Sequence, residues 1–320
     1  DCYSYRIPDR LRASLRPGCR VRAPLGRGNR SVIAYCVEIQ NEAQRAPAPR
    51  ASYALKELKS VVDATPLLSA SMLQLTKWMA DYYLCSWGQA IEAAVPAGVR
   101  EQAGTRQVRF LSVPPQVGAR MTQLQLPPKQ AAALTCLLAS SRALTPNELA
   151  AAANCTLAPI NALRKKGLVH EEVRRVASVE RREQAAPREQ PLALNPDQKR
   201  ALGAIVAALE VRRHETFVVH GVTGSGKTEV YIRAIDEVIL FGRQAIVLVP
   251  EISLTPQTQQ RFRSRFDRVA VLHSHLSAAE RAWHWRRIAG GEVQVVVGAR
   301  SAVFAPVPQL GLIVLDEEHD

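Results

Sequence analysis

The chain has no C-x-x-C pair. Its six cysteines, at positions 2, 19, 36, 85, 136 and 155, are scattered, so neither a zinc-ligand spacing nor a disulfide framework is visible. No apolar run approaches the roughly 18 residues that a membrane span needs, and no signal peptide opens the chain. A membrane partner is therefore not expected. There is no initiator methionine and the last residues fall inside a motif, so the chain reads as a fragment at both ends. What is present is globular in kind: 320 residues, 47% hydrophobic, with room for two or three domains that each bury a core.

Acidic residues are also in deficit, 29 against 42 Lys and Arg. Residues 1–110 hold 16 basic and 9 acidic side chains, residues 111–176 hold 8 and 3, and residues 177–320 hold 18 and 17. The excess sits in the first 176 residues. Such a surface attracts phosphate backbones or anionic lipid, or serves solubility alone; without a membrane segment, nucleic acid is the expected polyanion.

The carboxyl-terminal part carries two elements of an ATP-hydrolysis site. Gly221-Val222-Thr223-Gly224-Ser225-Gly226-Lys227-Thr228 matches G-x-x-x-x-G-K-[ST], in which backbone N–H groups wrap phosphates and a helix N-terminus adds a favourable dipole. Lys227 reaches the outer phosphates in that pattern, and Thr228 a magnesium ion. Thr216 to His220 reads as a short buried strand before the loop, and Glu229 to Leu240 as the helix after it. Downstream, the apolar run Leu312-Ile313-Val314-Leu315 delivers Asp316-Glu317-Glu318-His319 to the sheet edge where ligands bind in open α/β folds. Asp316 is expected to hold magnesium and Glu317 to polarise the attacking water. An ATP site and unpaired cysteines together suit a reducing cytoplasm.

The rest of the chain divides by pattern. Cys19 to Pro24, Ser31 to Ile39 and Leu58 to Val62 are strand candidates, with an Arg45–Arg50 loop before the last, and Ser69 to Tyr83 has helical spacing. Lys129 to Ala139 is a helix candidate. Thr145-Pro146-Asn147-Glu148 is a capping box with Pro at the first helical position. A third helix, Leu157 to Lys166, stops at Gly167, and Leu168 to Val173 suggests a small strand pair. Three helices and a wing make a winged-helix module, in which Arg164, Lys165 and Lys166 either meet phosphates or complement their helix C-terminus. Ala177 to Gln190 lacks an apolar face and reads as a linker.

Further stretches sharpen the reading. They are Leu194-Asn195-Pro196-Asp197-Gln198, Val249 to Gln257, Leu272-His273-Ser274-His275-Leu276-Ser277, Glu280-Arg281, Trp285, and Gly298 to Pro306. In this order the set resembles the PriA (primosomal protein N′) family of bacterial replication-restart helicases, of superfamily 2. The resemblance implies a multidomain α/β chain. Residues 1–110 would be a β-rich three-prime-end DNA-binding domain, 111–176 the winged helix, 177–191 a linker, and 192–320 a first RecA-like lobe with a parallel sheet. It implies ATP-dependent translocation three-prime to five-prime on DNA at stalled or branched forks, initiating primosome assembly. Forked and single-stranded DNA, single-stranded DNA-binding protein and other primosome proteins are the implied partners, and ATP with Mg2+ the implied cofactors.

Residue by residue, the resemblance places Gln198 on the adenine, Lys227 and Thr228 on phosphate and magnesium, and Asp316 and Glu317 in the DEAH-type pair. Thr255 and Arg300, with Ser253, fall in motifs used near the DNA strand. Hydroxyls and guanidinium suit phosphate contact, while helix capping or loop closure serves the hydroxyls equally. Tyr3-Ser4-Tyr5, Gly26 and Lys59 align with the family's pocket for a three-prime end, Ser4 replacing the usual aspartate. The tyrosines either stack a base or pack in the core. His273, His275 and His319 are expected to be structural or coupling residues. The family's second lobe with its arginines, its zinc-binding cysteines and its carboxyl-terminal domain have no counterpart in these residues. Nucleotide binding without efficient unwinding is the expectation, and the alternative is a fork-binding adaptor that does not unwind.

Overall fold

The computed structural model describes residues 2–40, 55–118, 124–177, 187–190, 192–222 and 224–317. Thr223, Glu318, His319, the Arg45–Arg50 loop and most of the stretch read as a linker lie outside these residues. Contacts divide the chain into two units: residues 1–103 with 183–320, and residues 104–182.

The first unit opens with a short helix α1 (Asp9–Arg12), then strands β1 (Arg20–Leu25), β2 (Arg30–Tyr35) and β3 (Ser60–Val61). They form an antiparallel sheet with β1 in the middle. Val21 and Ala23 alternate inward from β1 and meet Leu15, Cys19 and Leu58 in a small core, the two-residue period that a half-covered strand requires. Arg20, though 3% exposed, is held by Asp63 through its guanidinium and its backbone N–H. A buried charge survives only when paired in this way. A helical half follows: α2 (Ala70–Tyr82), capped by Ser69; α3 (Trp87–Ala94), opened by a Ser86–Gln89 capping box; and the single turn α4 (Ala97–Arg100).

The second unit holds strand β4 (Thr105–Ser112) and helices α5 (Pro115–Gly118), α6 (Pro128–Ala139), α7 (Pro146–Ala152) and α8 (Leu157–Lys165) before strand β5 (His170–Ala177). Leu134, Leu149, Ile160 and Leu163, each fully buried, draw α6, α7 and α8 together over Leu111 of β4. The local strand pair expected at Leu168 to Val173 does not form. Val169 is core, and β5 pairs instead with β4 along eight residues, Thr105↔Ala177 to Ser112↔His170. A full antiparallel ladder satisfies far more backbone groups than a two- or three-residue hairpin, so the distant partner prevails despite its greater loop-closure cost.

The expected capping box of α7 is complete. Thr145 Oγ1 accepts from Glu148 N at 3.2 Å and Glu148 Oε2 accepts from Thr145 N at 2.8 Å. These bonds, led by the Thr145 backbone and joined by Arg142, hold the Glu148 carboxyl down at about 2. A carboxylate lowered in the folded state stabilises it above the unfolded pKa, and that contribution fades as pH falls through the folded value. Acid titration should therefore weaken this unit between about pH 4.5 and about pH 2. Thr145→Ala, which removes a cap worth about 1 kcal/mol, should lower its unfolding midpoint at neutral pH and keep most of the acid limb, because the backbone N–H at 145 still donates to Glu148, as followed by circular dichroism.

Back in the first unit, α9 (Pro196–Glu210) begins with an Asn195–Gln198 capping box, and α10 (Lys227–Leu240) follows the glycine-rich loop. Then alternate β6 (Gln244–Leu248), α11 (Pro256–Arg263), β7 (Val269–Leu272), α12 (Ala278–Ala289), β8 (Val295–Gly298) and β9 (Leu310–Leu315). The four strands make a parallel sheet in the order β7-β8-β6-β9. Their near-continuous valine, isoleucine and leucine runs are what a sheet covered on both faces demands. Ala245 and Val247 of β6 face a core with Ile232, Ile235 and Phe262, while Ile246 faces another with Ala270, Ile288 and Val296.

One expected strand is missing. Thr216 to His220 joins no ladder among the described residues, and Val218 is 89% exposed. Apolar, β-branched sequence confers capacity for a strand, but a strand exists only where a neighbour supplies its hydrogen bonds. β9, at one edge of the sheet, pairs with β6 alone among the described residues.

The two halves of this unit share a core. Ala282 and Trp285 of α12 pack with Leu68, Met72, Ile91, Val95 and Val99. At the joint, a Cβ added to Gly98 of α4 would stand 2.3 Å from the Ala278 carbonyl oxygen.

Candidate functional site

The carboxyl-terminal ends of β6 and β9 and the start of α10 converge on one site. Gly226, at φ 82, caps α10, and a Cβ there would lie 2.5 Å from the Gln198 side-chain nitrogen. Only glycine combines that backbone with that approach. Lys227 curls back over the loop, Nζ donating to Gly221 O at 2.7 Å and Val222 O at 3.2 Å. Its ammonium is thus held over the loop whose backbone N–H groups would face an anion.

Gln198 belongs to this site by contact. Its Oε1 accepts from Asn195 N at 2.9 Å, and its Nε2 donates to Ser225 O at 2.9 Å. Both ends of the amide are engaged with backbone, so here the side chain braces the loop.

Tyr231, one turn into α10, donates from its hydroxyl to Asp316 Oδ2 at 2.8 Å. Burial first, then the Asp316 carboxylate, push its phenol up, so it remains a donor. Thr228, three residues before Tyr231 on α10, shares a helix face with it, so both expected magnesium ligands are tied to the start of that helix. A hydroxyl and a carboxylate are hard oxygen donors that suit Mg2+, with phosphate and water oxygens completing its shell. Among the described residues there is no cluster of three or more His, Cys, Asp or Glu side chains that could hold a metal ion. Sequence reading passed over Tyr231, although its spacing of three from Thr228 puts the two on one helix face.

Glu317 stands at φ 54 and its Oε2 accepts from Ser253 Oγ at 2.8 Å. Ser253 ends a short helical turn, Glu251–Ser253, after β6. Thr255 caps α11 through a bond from Thr258 N at 3.2 Å, so capping is realised there. Arg300 opens another short turn, Arg300–Phe304, after β8. Glu251 accepts from Ser274 N at 3.2 Å, and its bonds to Ser274 lower its carboxyl. His273 has its pKa lowered, chiefly by burial. Beneath these loops, Arg265 donates to both oxygens of Glu229, at 3.0 and 3.1 Å, and the two side chains are 6% and 5% exposed.

The amino-terminal candidates also gather. Tyr5 donates to Pro24 O at 3.2 Å and packs against the small core, whereas Tyr3 is exposed at 61%. Packing thus takes one tyrosine and surface the other; Ser4 between them is exposed. Gly26 O accepts from Lys56 Nζ at 2.5 Å, and Lys59 Nζ reaches Asn29 O at 3.5 Å. Lys56, absent from the sequence-based candidates, therefore shares the β1–β2 turn with Gly26 and Lys59.

In the second unit the basic triplet splits. Arg164 pairs with Glu171 and Lys166 donates to Gln130 Oε1 at 2.9 Å. Lys165 pairs with no carboxylate among the described residues.

The phosphate loop, the Asp316–Glu317 pair and the parallel sheet that joins them define a helicase lobe. A DEAD/DEAH box helicase model matches residues 195–320, and a PriA 3′DNA-binding domain (3′BD) model matches residues 1–96. Replication restart protein PriA of Bacillus subtilis is 30% identical over 99% of this chain and 47% of its own length. That of Treponema pallidum is 34% identical over 95% of this chain and 34% of its own. That of Synechocystis is 40% identical over 65% of this chain and 26% of its own. The chain belongs to the replication restart protein PriA family, and it spans about a third to a half of the length of the first two of these relatives. Among the described residues, no helix is long and apolar enough to cross a membrane.

Proposed function

We propose that the chain supplies the DNA-binding part and the first ATPase lobe of an ATP-dependent three-prime to five-prime DNA helicase of replication restart. It would recognise stalled or branched forks and start primosome assembly. The observation that carries this is the bond from Tyr231, on the helix that Lys227 and Thr228 begin, to Asp316, in a chain of the PriA family.

Gly221 to Thr228 would cradle the phosphates of ATP, with Lys227 on the outer ones. Thr228 and Asp316 would hold Mg2+, which neutralises charge on the phosphates. Glu317 would orient the attacking water. Gln198 would read the adenine edge, exchanging its bond to Ser225 for the base. Residues 1–110 would receive a three-prime end beside Tyr3, Ser4, Tyr5, Gly26 and Lys59, with Lys56 as an additional phosphate contact. Residues 111–176 would act as a winged helix, offering Lys165 first among its basic triplet. Ser253, Thr255 and Arg300 would follow the strand's backbone. Single-stranded DNA-binding protein and other primosome proteins are the proposed partners.

The deciding experiment measures MgATP and forked-DNA binding by the chain and its Asp316→Asn variant. The variant should lose the magnesium-dependent part of its ATP affinity and keep DNA binding. ATP affinity independent of magnesium in the unmodified chain would sink the assignment. DNA affinity should fall steeply with salt, by about 0.7 in log K per log unit of salt for each single-strand phosphate contacted. Tyr231→Phe should cut the gain in ATP affinity on adding Mg2+ by about tenfold, because outer partners orient a ligating carboxylate. Isothermal titration with and without the ion checks this.

A further inference from the structure

Ser253 and Glu317 stand at the ends of neighbouring strands, and one hydrogen bond of 2.8 Å joins their side chains. Glu317 occupies left-handed backbone at φ 54, which a non-glycine residue adopts at a cost. Its carboxylate is thus presented by a constrained turn and, among the described residues, held by the Ser253 hydroxyl.

The turn that carries Ser253 is itself tied down. Ser253 O accepts from Thr258 Oγ1 at 2.8 Å, and Thr255 caps the same first turn of α11. Just past the other end of α11, Arg265 grips Glu229, which follows Lys227 by two residues on α10. α11 and its flanks therefore touch the nucleotide site at the phosphate-loop helix, through Arg265 and the stacking of Phe262 on Tyr231, and at the acidic pair through Ser253.

A serine hydroxyl has one proton to donate. It serves the Glu317 carboxylate or an incoming phosphodiester oxygen, and not both. The geometry points to Ser253 as a positioning residue that keeps Glu317 tied to the turn while no strand is bound. It releases the carboxylate to the attacking water when a phosphodiester of single-stranded DNA takes the hydroxyl. This rests on the proposed role of the Ser253–Thr255 turn as a backbone contact and deepens it, since the turn then reports strand occupancy to the hydrolytic carboxylate. Competition for one donor is reciprocal: removing the carboxylate strengthens the hold of the hydroxyl on DNA.

The test is a double-mutant cycle on the whole chain, read as the dissociation constant of a labelled oligothymidylate at low salt. Glu317→Ala removes a negative charge in every background, so it tightens DNA somewhat whatever Ser253 does. With Ser253 present, the tightening should be roughly five- to tenfold greater than in the Ser253→Ala background, the scale of one ordinary hydrogen bond. Ser253→Thr, which keeps a hydroxyl, should restore the difference. Equal tightening in both backgrounds overturns the proposal, because it leaves only the charge. So does a difference that Ser253→Thr fails to restore. If the unmodified chain does not bind the oligothymidylate, the nucleic-acid reading of the turn falls first and the proposal with it.

Discussion

Replacing Lys227 with alanine lowers ATP affinity roughly 30- to 100-fold. The Nζ atom now lies on Gly221 O and Val222 O, two neutral acceptors that it would exchange for phosphate oxygens. Hydrogen bonds between charged partners contribute about 2–3 kcal/mol, and each 1.4 kcal/mol is about tenfold in affinity. The fold loses little, because both bonds are local and only partly buried, so the thermal midpoint should stay within a few degrees. Titration of a fluorescent ATP analogue reads the first quantity and a melting curve the second. Unchanged ATP affinity would remove the phosphate-loop assignment, whatever the melting curve did.

Gly98→Ala acts on stability instead. Its Cβ would approach the Ala278 carbonyl oxygen to 2.3 Å, the carbonyl carbon to 2.8 Å and the Cα to 2.9 Å. These are backbone atoms, so no flexible side chain can give way. Gly98 has no left-handed φ to explain its presence; close approach alone requires it. Relief means lifting α4 from the start of α12, which opens the core around Ala282 and Trp285. Overpacking of this kind costs about 1–3 kcal/mol, and more where backbone must move. The unfolding midpoint should drop by roughly 4–10 °C, with Trp285 fluorescence shifting to the red first. A chain that tolerates alanine here without loss would show that the joint has slack.

The chemistry was legible because it is local. A phosphate loop must put glycine, lysine and threonine at fixed spacing, and an apolar strand before Asp316 fixes where that carboxylate emerges. The capping box of Thr145 was readable for the same reason: its bonds close within four residues. Pairing across the chain was not readable. Nothing in Val169 to Val173 names β4 as its partner, since β-branched residues suit any ladder. Thr216 to His220 shows the converse, a sequence fit for a strand with no neighbour to complete it. Tyr231 escaped notice, and so did the bond from Ser253 to Glu317, because both depend on what the side chains touch. A tyrosine on a helix carries no signal until the fold sets Asp316 beside it, and a serine read as a phosphate contact does not announce a carboxylate partner 64 residues away.

The outer edge of β9 has a consequence for handling the protein. It presents a row of amide and carbonyl groups without ladder partners among the described residues, flanked by exposed Leu310, Ile313 and Leu315. Such an edge is a template on which any extended chain can lay itself, including the same strand of another molecule. Self-association through it would rise with concentration and persist in salt. That sets it apart from clustering on polyanions, which salt dissolves. A lysine on the outward face, at Ile313, is the kind of gatekeeper that natural sheets use to keep neighbours away.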